Sequence, residues 1–528
     1  MSALVIDGTS GVVDWDGVAP PPGPFGTDGR AGPGHAHGAM SHHDGAMPTA
    51  EPQRLTPTDL AVLWPEDHGW PQDLGLLSVL DAAALHDADG RFRIDVVRRH
   101  VAGRVDRLPS RFRKRLVRPP VGLGGPYWVD HADVDVTAHV TEVAVPPPGD
   151  EAALLRTCEQ LRRRGLDRSR PLWQLSLLTG LGDGQVAMLL QVHHCVADGM
   201  SGIAALAAFV DDATDPTADA GAPSDVDPPA AADVASTSRV APPAHAAVPS
   251  TAALLRDALR RDARTLLRVV SAAAHARASW TRAIDDVRAL RAAMAGVPTT
   301  RTSLNHRPIG RDRHVALVRG DLAGIKATAH AHNATVNDVL LSAVAGGLRA
   351  LLTARGEPVD DLVLRAAVPV ALHHRGTTRA EGNADGGLLL HLCVSEPDDR
   401  TRLRRIAAHT AERKRTAVMP GATRGAFATP LAQRLLIRLT ARQTMSNTYV
   451  ANVPGPPIRL SMAGAPITEM LPIVPLLGNL SVGVGALSYA GQFNLAVVAD
   501  RDTCPDIAIA AAGIDRSLTA MTGAIPAS

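Results

Sequence analysis

A stretch from Asp215 to Ser250, dominated by Ala, Pro, Asp and Ser, divides the sequence and cannot build a core of its own. Whatever packs must pack on either side of it, which makes this segment an interdomain linker between two globular regions. The chain is long enough for that arrangement: 528 residues with 45% apolar and 20% charged content suffice for two or three packed domains. Residues 1–50 hold a Pro-rich run, Pro20 to Pro24, among Gly, His and Ala, with too few large apolar groups to offset ordering entropy; a disordered tail is expected there. Its His35, His37, His42 and His43 form a tract of the kind that is usually incidental, with metal binding as the sharper alternative.

Both globular regions alternate helical and extended signals, so the expected fold class is α/β, each region a mixed sheet with packed helices. The N-terminal domain is expected over 51–212. It opens on a helix start at Thr56, Pro57, Thr58 and Asp59, a capping hydroxyl followed by proline in the first turn. Tyr127 to Val145 shows period-two spacing of β-branched residues, and Gln185 to His194 reads as a largely apolar strand. Residues 213–299 comprise the linker and an arginine-rich stretch, Ala252 to Met294, with apolar faces at helical spacing. Two readings stand for that stretch: helices docked on the globule, or a basic amphipathic surface on anionic lipid. The C-terminal domain is expected over 300–528, with helices at Leu322–His332, Val336–Thr353, Arg400–Ala417 and Pro430–Arg442. Strands are expected at Leu362–Val370, Gly386–Val394, Leu480–Leu487 and Gln492–Ala499.

Composition excludes several functions. Lys+Arg 54 against Asp+Glu 53 leaves a formal +1, which provides no global field for a nucleic acid, so no nucleic-acid partner is expected. Cys158, Cys195, Cys393 and Cys504 lie far apart without a C-x-x-C pair, which favours a reducing compartment over a disulfide framework or thiolate zinc. The N-terminus shows no basic region followed by an apolar core, so a cytoplasmic location is expected. Met470 to Ala499 lacks charge and is long enough to cross a bilayer, but Pro472, Pro475, Gly478, Gly483, Gly485 and Gly491 cut it into pieces that read as buried strands.

The segment most informative about chemistry is Val192 to Gly202, VHHCVADGMSG. Successive side chains of an extended strand point to opposite faces, so His193 and His194 cannot both reach one reaction centre without a kink; one is the reagent and the other packs. Gly199 and Gly202 permit a tight turn, and Ser201 is suited to cap a helix from Ile203. An imidazole at a strand-to-loop junction titrates near neutrality and can take a proton from an alcohol or thiol. Asp198 either orients that imidazole or fixes the loop by pairing with an arginine, and the structural role is favoured. The alternatives are loop packing without function and a metal site of His193, His194 and Asp198; the glycines argue against the helix that such ligands require.

Together with its neighbours, this segment resembles the bacterial wax ester synthase/acyl-CoA:diacylglycerol acyltransferase family, within the chloramphenicol acetyltransferase-like superfamily. HHCVADG, His193 to Gly199, matches the family's HHxxxDG. LDRSRPLW, Leu166 to Trp173, looks like its PLW block, and Asn337-Asp338 in TVNDVLLSAVAGGLR its ND block. ANVPGP, Ala451 to Pro456, and LSYAGQFN, Leu487 to Asn494, complete the pattern over about Leu55 to Asp515. Where the family commonly has Met-His, this chain has Gln72-Asp73.

The resemblance implies two chloramphenicol acetyltransferase-like domains with a tunnel between them and a second-histidine base, here His194. His193 would support it, with Asp198 and Gly199 shaping the loop. Pro171, Leu172, Trp173, Asn337 and Asp338 are candidates for substrate contact, although core packing and helix capping explain them more simply. Acyl-CoA would be a co-substrate rather than a cofactor, no metal is needed, and the partner would be a hydroxyl lipid, diacylglycerol or a long-chain alcohol. The protein would work in the cytoplasm or peripherally on the inner face of the membrane or on lipid droplets. The same architecture also serves condensation-type acyltransferases with carrier-protein donors. A noncatalytic lipid-binding protein is the remaining alternative.

Overall fold

The computed structural model describes residues 53–120, 125–131, 134–182, 184–197, 205–211, 250–257, 259–260, 263, 299–371, 385–416, 437–438 and 440–523. The expected tail and linker lie outside these residues, as do most of Ala252 to Met294 and most of the helix expected at Pro430–Arg442. The N-terminal region runs β1 (Gln53–Arg54), α1 (Pro57–Asp67), β2 (Asp73–Asp81), α2 (Ile94–Ala102), β3 (Lys114–Val117), β4 (Tyr127–Asp130), α3 (Val136–His139), β5 (Val140–Ala144), α4 (Glu151–Arg164), β6 (Trp173–Thr179) and β7 (Gln185–His193). The C-terminal region begins with β8 (Arg313–Asp321), α5 (Leu322–Ala331), α6 (Val336–Ala354), β9 (Leu364–Ala371), β10 (Asp385–Leu392) and α7 (Asp399–Thr416). It continues with β11 (Thr448–Pro454), β12 (Ser461–Met462), β13 (Ala465–Ile473), β14 (Val482–Tyr489), β15 (Gln492–Asp500) and α8 (Ile507–Thr522).

These strands form two mixed six-stranded sheets and a three-stranded one. The first large sheet has the order β12-β13-β2-β7-β6-β5, the second β10-β9-β11-β14-β15-β8, and the small sheet β1-β4-β3. Most pairs are antiparallel; β5 runs parallel to β6, and β11 parallel to both β9 and β14. The two large sheets share a core. Leu77, Leu189 and Leu471 of the first pack in one cluster with Val315, Ala496 and Val498 of the second. Helices α5, α6 and α8 supply the apolar side of another core, on the second sheet, through Ile325, Leu340, Leu348 and Ile514. Helix α6 is apolar enough to cross a membrane by length and composition, but most of its surface is buried inside the protein.

The sheets interleave rather than follow the chain. ANVPGP is the end of β11, Ala451 to Pro454, followed by the Gly455-Pro456 pair that leaves the second sheet, and β12 and β13 then join the first, where β13 pairs antiparallel with β2. The chain then returns to the second sheet as β14. Close approach makes glycine necessary at both passages: a Cβ on Gly455 would sit 2.3 Å from the Ser488 carbonyl oxygen, and one on Gly485 2.8 Å from that of Pro472. LSYAGQFN is the β14–β15 hairpin, turning at Ala490 and Gly491, both with positive φ. Its Tyr489 hydroxyl accepts from Leu460 N (2.8 Å) and donates to Ile467 O (2.9 Å), and Asn494 Nδ2 donates to Met470 O (3.1 Å). The hairpin thus clasps the crossing strands.

Met470 to Ala499 is the strand-rich segment expected from its breakers, spanning the end of β13 and all of β14 with most of β15. Tyr127 to Val145 differs from a continuous extended segment. Asp135 Oδ1 accepts from Thr137 N (2.9 Å) and Ala138 N (3.3 Å), nucleating the short α3 between β4 and β5. A side-chain cap wins there over β-branched spacing.

Tyr489→Phe removes the hydroxyl that satisfies the buried Ile467 carbonyl and the part-buried Leu460 amide, and is expected to cost about 1 to 3 kcal/mol in urea unfolding. An unchanged midpoint and slope would mean that the clasp contributes nothing.

Candidate active site

The site is built at the end of β7, the strand between β2 and β6 in the first sheet. From Val186 to His193 every residue of this strand is buried. Alternation divides its side chains: Ala187 and Leu189 enter the core shared with the second sheet, Met188, Leu190 and Val192 the core on the other face. His193 has the parity of Leu189 and so belongs to the shared side. His194 follows the strand end and is half-buried.

Four main-chain contacts fix the turn from His193 to Val196. His193 N donates to Leu172 O (3.0 Å), His194 N to Gln72 O (2.9 Å), and Val196 N to His193 O (2.8 Å). The Cys195 carbonyl accepts from Arg111 Nη1 at 2.9 Å. Arg111 is itself buried against Asp59, with Nη1–Oδ1 2.9 Å and Nη2–Oδ2 3.3 Å. Asp59 is the third residue of α1 and completes a capping box: Thr56 N donates to Asp59 Oδ2 (3.0 Å), and Asp59 N to Thr56 Oγ1 (3.1 Å). The helix start visible in the sequence therefore also anchors the histidine turn.

His193 is fully committed. Its Nδ1 accepts from Cys195 N (3.1 Å), so the hydrogen it offers lies on Nε2, which donates to Glu66 Oε2 at 2.7 Å. Glu66 Oε2 also accepts from Arg168 Nη2 at 2.7 Å, and Arg168 Nη1 donates to Asp67 Oδ1 at 2.7 Å. Burial pushes the Glu66 pKa up, but His193 and Arg168 outweigh it and hold the carboxyl at about 2. Burial lowers the proton affinity of His193 and the Glu66 carboxylate raises it. An imidazole that shares its proton with an ionised carboxylate, shut off from solvent, is a structural strut.

The other candidates separate into two groups. Pro171, Leu172 and Trp173 lie beside the turn: Pro171 bridges to Arg115, Leu172 is fully buried, and Trp173 Nε1 donates to Phe112 O at 3.0 Å. Trp173 also stacks on His139 with ring centroids 4.2 Å apart, so its ring packs in the core. Asn337 and Asp338 stand in the C-terminal region at the start of α6, where the expected capping role is redistributed. Thr335 is the cap, because its hydroxyl accepts from Asp338 N (3.2 Å) while Asp338 Oδ2 accepts from Thr335 N (2.8 Å); Asn337 is the second helical residue. Asp338 Oδ1 is buried without a partner. Asp198 and Gly199 lie outside the described residues. Among the described residues no group of three or more His, Cys, Asp or Glu is placed to hold a metal.

Gln72-Asp73, where the sequence departs from the family pattern, proves to border the turn directly. Gln72 O receives the His194 amide, and Asp73 pairs in register with His193. Glu66, Arg111 and Arg168 were not singled out from sequence. A carboxylate near a helix end, Glu66, an arginine outside any quoted motif, Arg111, and one inside the LDRSRPLW block, Arg168, look like ordinary surface charge until the fold places them.

Residues 55–340 match the family model described as the wax ester synthase/diacylglycerol acyltransferase catalytic domain, and residues 381–522 match its C-terminal domain. The chain belongs to the wax ester synthase/diacylglycerol acyltransferase family. A probable diacylglycerol O-acyltransferase of Mycobacterium tuberculosis H37Rv, tgs1, is 29% identical over 417 residues, covering 77% of this chain and 83% of its own length. A putative diacylglycerol O-acyltransferase of the same strain, Rv1760, is 27% identical over 478 residues, covering 88% and 89%. The fold is similar to that of the wax ester synthase/diacylglycerol acyltransferase from Marinobacter aquaeolei VT8, with TM-score 0.61 and 23% identity over 89% of this chain and 98% of that one. The first condensation domain of the CDA synthetase is similar at TM-score 0.53 and 15% identity, over 90% and 97%.

In this family member the Glu66 carboxylate is expected to stabilise the site in a pH-dependent way. Its folded pKa of about 2 lies below the unfolded 4.5, so the contribution is full above about pH 4.5 and disappears as pH falls towards 2. Glu66→Gln should lower unfolding free energy by roughly 2 to 3 kcal/mol at pH 7, with the gap to wild type closing through that acid window. A gap independent of pH would remove the ionised carboxylate from the account.

Proposed function

We propose that this chain is an O-acyltransferase that moves a long-chain acyl group from acyl-CoA to diacylglycerol, to a long-chain alcohol, or to both, with His194 as general base. The observation that carries the proposal is the turn after β7: in a chain matching both domains of the acyltransferase family, it holds His193 as a strut and leaves the next imidazole half-buried at the strand end. Nε2 or Nδ1 of His194 takes the proton of the acceptor hydroxyl as its oxygen attacks the thioester carbonyl. The tetrahedral intermediate then collapses, the carbon–sulfur bond breaks, and the proton passes from the imidazolium to the departing CoA sulfur. Both substrates are present together and no acyl-enzyme forms. A positioned base of this kind contributes typically ~10² to 10⁴ in rate. Burial around the turn supports the proposal, because a site sheltered from water protects the thioester from hydrolysis.

His194→Ala should reduce thiol release from palmitoyl-CoA, in the presence of diacylglycerol or hexadecanol, by at least roughly 100-fold with unchanged far-UV circular dichroism. Full activity in that variant would contradict the base assignment. Release from an acyl-carrier donor but not from acyl-CoA would favour the condensation-type alternative.

We further propose peripheral association with a lipid surface. It is supported by Leu255 and Leu259, which are 49% and 62% exposed beside Arg256 and Arg260, while Leu254 docks on Tyr127 and Val129 of the small sheet. Leu255→Ser with Leu259→Ser should weaken co-sedimentation with anionic vesicles severalfold at unchanged stability. Equal sedimentation of variant and wild type would confine this helix to a docking role.

A further inference from the structure

At the outer end of the second large sheet, β9 pairs with the edge strand β10, and Arg365 stands directly opposite His391. Their sequence neighbours Leu364, Ala366, Leu390 and Leu392 enter the core beneath α6, so by alternation Arg365 and His391 share the other face. Helix α7 packs on β10 and brings His409 to the same place: its ring stacks on His391 with centroids 4.2 Å apart and planes 6° from parallel. Arg413 follows on α7, one helical turn beyond His409. The main chain at Arg365 is fixed by Asn447, whose Oδ1 accepts from Arg365 N (2.9 Å) and whose N donates to Arg365 O (2.8 Å).

These four side chains form a cationic group without a matching acid. Among the described residues no carboxylate pairs with Arg365 or Arg413. Burial and then Arg413 lower the proton affinity of Arg365, and no acid opposes them. Burial, His409, Arg365 and Arg413 together hold His391 down to about 4, while the one acid acting on His409 is the exposed Glu412. Other part-buried or buried arginines are compensated: Arg162 lies on Asp73, Arg313 on Asp500 and Arg355 on Asp506. In addition, His409 Nε2 and Arg413 Nε are buried without a hydrogen-bond partner. The four residues are each part-exposed, so a ligand reaches them from solvent and needs no enclosed cavity.

Like charges held together beside unused hydrogen-bonding atoms destabilise a fold unless a ligand relieves them. An anion does so. Two permanent guanidinium charges match a phosphate dianion, whose oxygens suit the planar guanidinium fork, and the stacked imidazoles add N–H groups without adding charge at neutral pH. We infer that Arg365, His391, His409 and Arg413 form a binding site for a phosphate ester. Coenzyme A and an anionic phospholipid headgroup both carry this group.

Arg365→Gln combined with Arg413→Gln separates a ligand site from a structural one. Without ligand, the double variant should unfold at the urea midpoint of wild type or above it, because repulsion is relieved. It should bind its phosphate ester at least roughly tenfold more weakly. His409→Phe, which removes the ring nitrogens without changing charge at pH 7.5, should weaken the same binding severalfold. The probes are CoA, followed by calorimetry, and phosphatidylcholine vesicles containing phosphatidate, followed by co-sedimentation. Weakening with CoA alone assigns the site to the acyl donor, weakening with vesicles alone to a lipid headgroup, and weakening with both to either carrier; each upholds the site. Affinity for both probes that is absent or unchanged in the double variant, affinity unchanged in His409→Phe, or a lowered urea midpoint of the unliganded double variant would overturn it. Binding is read without turnover, so the result stands apart from the role of His194.

Discussion

The buried ion pair between Asp59 and Arg111 is the constraint from which the site follows. Burying two charges is costly unless other groups share them, and here both are shared: Asp59 closes the capping box of α1, and Arg111 reaches the Cys195 carbonyl. The pair thereby ties a helix start, a turn of 3₁₀ helix at Ser110–Arg113 and the end of a central strand to one point. Losing either partner would leave the other charge buried and unmatched, at a cost of about 3 to 5 kcal/mol. The conformation of the histidine turn is therefore enforced from outside the turn.

That turn places adjacent imidazoles in different surroundings, one buried and one half-buried. His193 is locked between Cys195 N and the Glu66 carboxylate, itself held by Arg168, and its neighbour inherits a fixed main chain from Gln72. Because Gln72 begins the approach to β2, and β2 pairs with the crossing strand β13, the position of His194 depends on strands drawn from both ends of the chain. The two sheets cannot be separated without pulling β13 from β2. This interleaving ties the described residues on either side of the linker together through shared sheets.

Much of this was legible in the sequence. The helices at Leu322 and Val336, the strands after Gln185 and Gln492, and the cap at Thr56 all appeared near their observed bounds, because each depends on local periodicity or capping chemistry. The passage of β12 and β13 into the other sheet was not legible, since pairing between Leu471 and Leu77 leaves no trace in either segment's own pattern. At the site, alternation anticipated the different burial of His193 and His194, but the partners Glu66, Arg111 and Arg168 are distant in sequence and of ordinary type. The cap of α6 was misplaced by two residues, as Thr335 and Asn337 are both good capping residues and only backbone geometry chooses between them.

The claim that a buried pair outside the turn positions the imidazole proposed as the base is tested most directly by steady-state kinetics of Arg111→Lys, measured beside its unfolding free energy. Lysine preserves the charge opposite Asp59 but cannot span both the carboxylate and the Cys195 carbonyl with a planar fork. The account predicts a fall in kcat of roughly tenfold or more at nearly constant KM for acyl-CoA, in protein that remains folded. Wild-type kcat accompanied by a loss of stability alone would contradict it, and would reduce the pair to an ordinary part of the core.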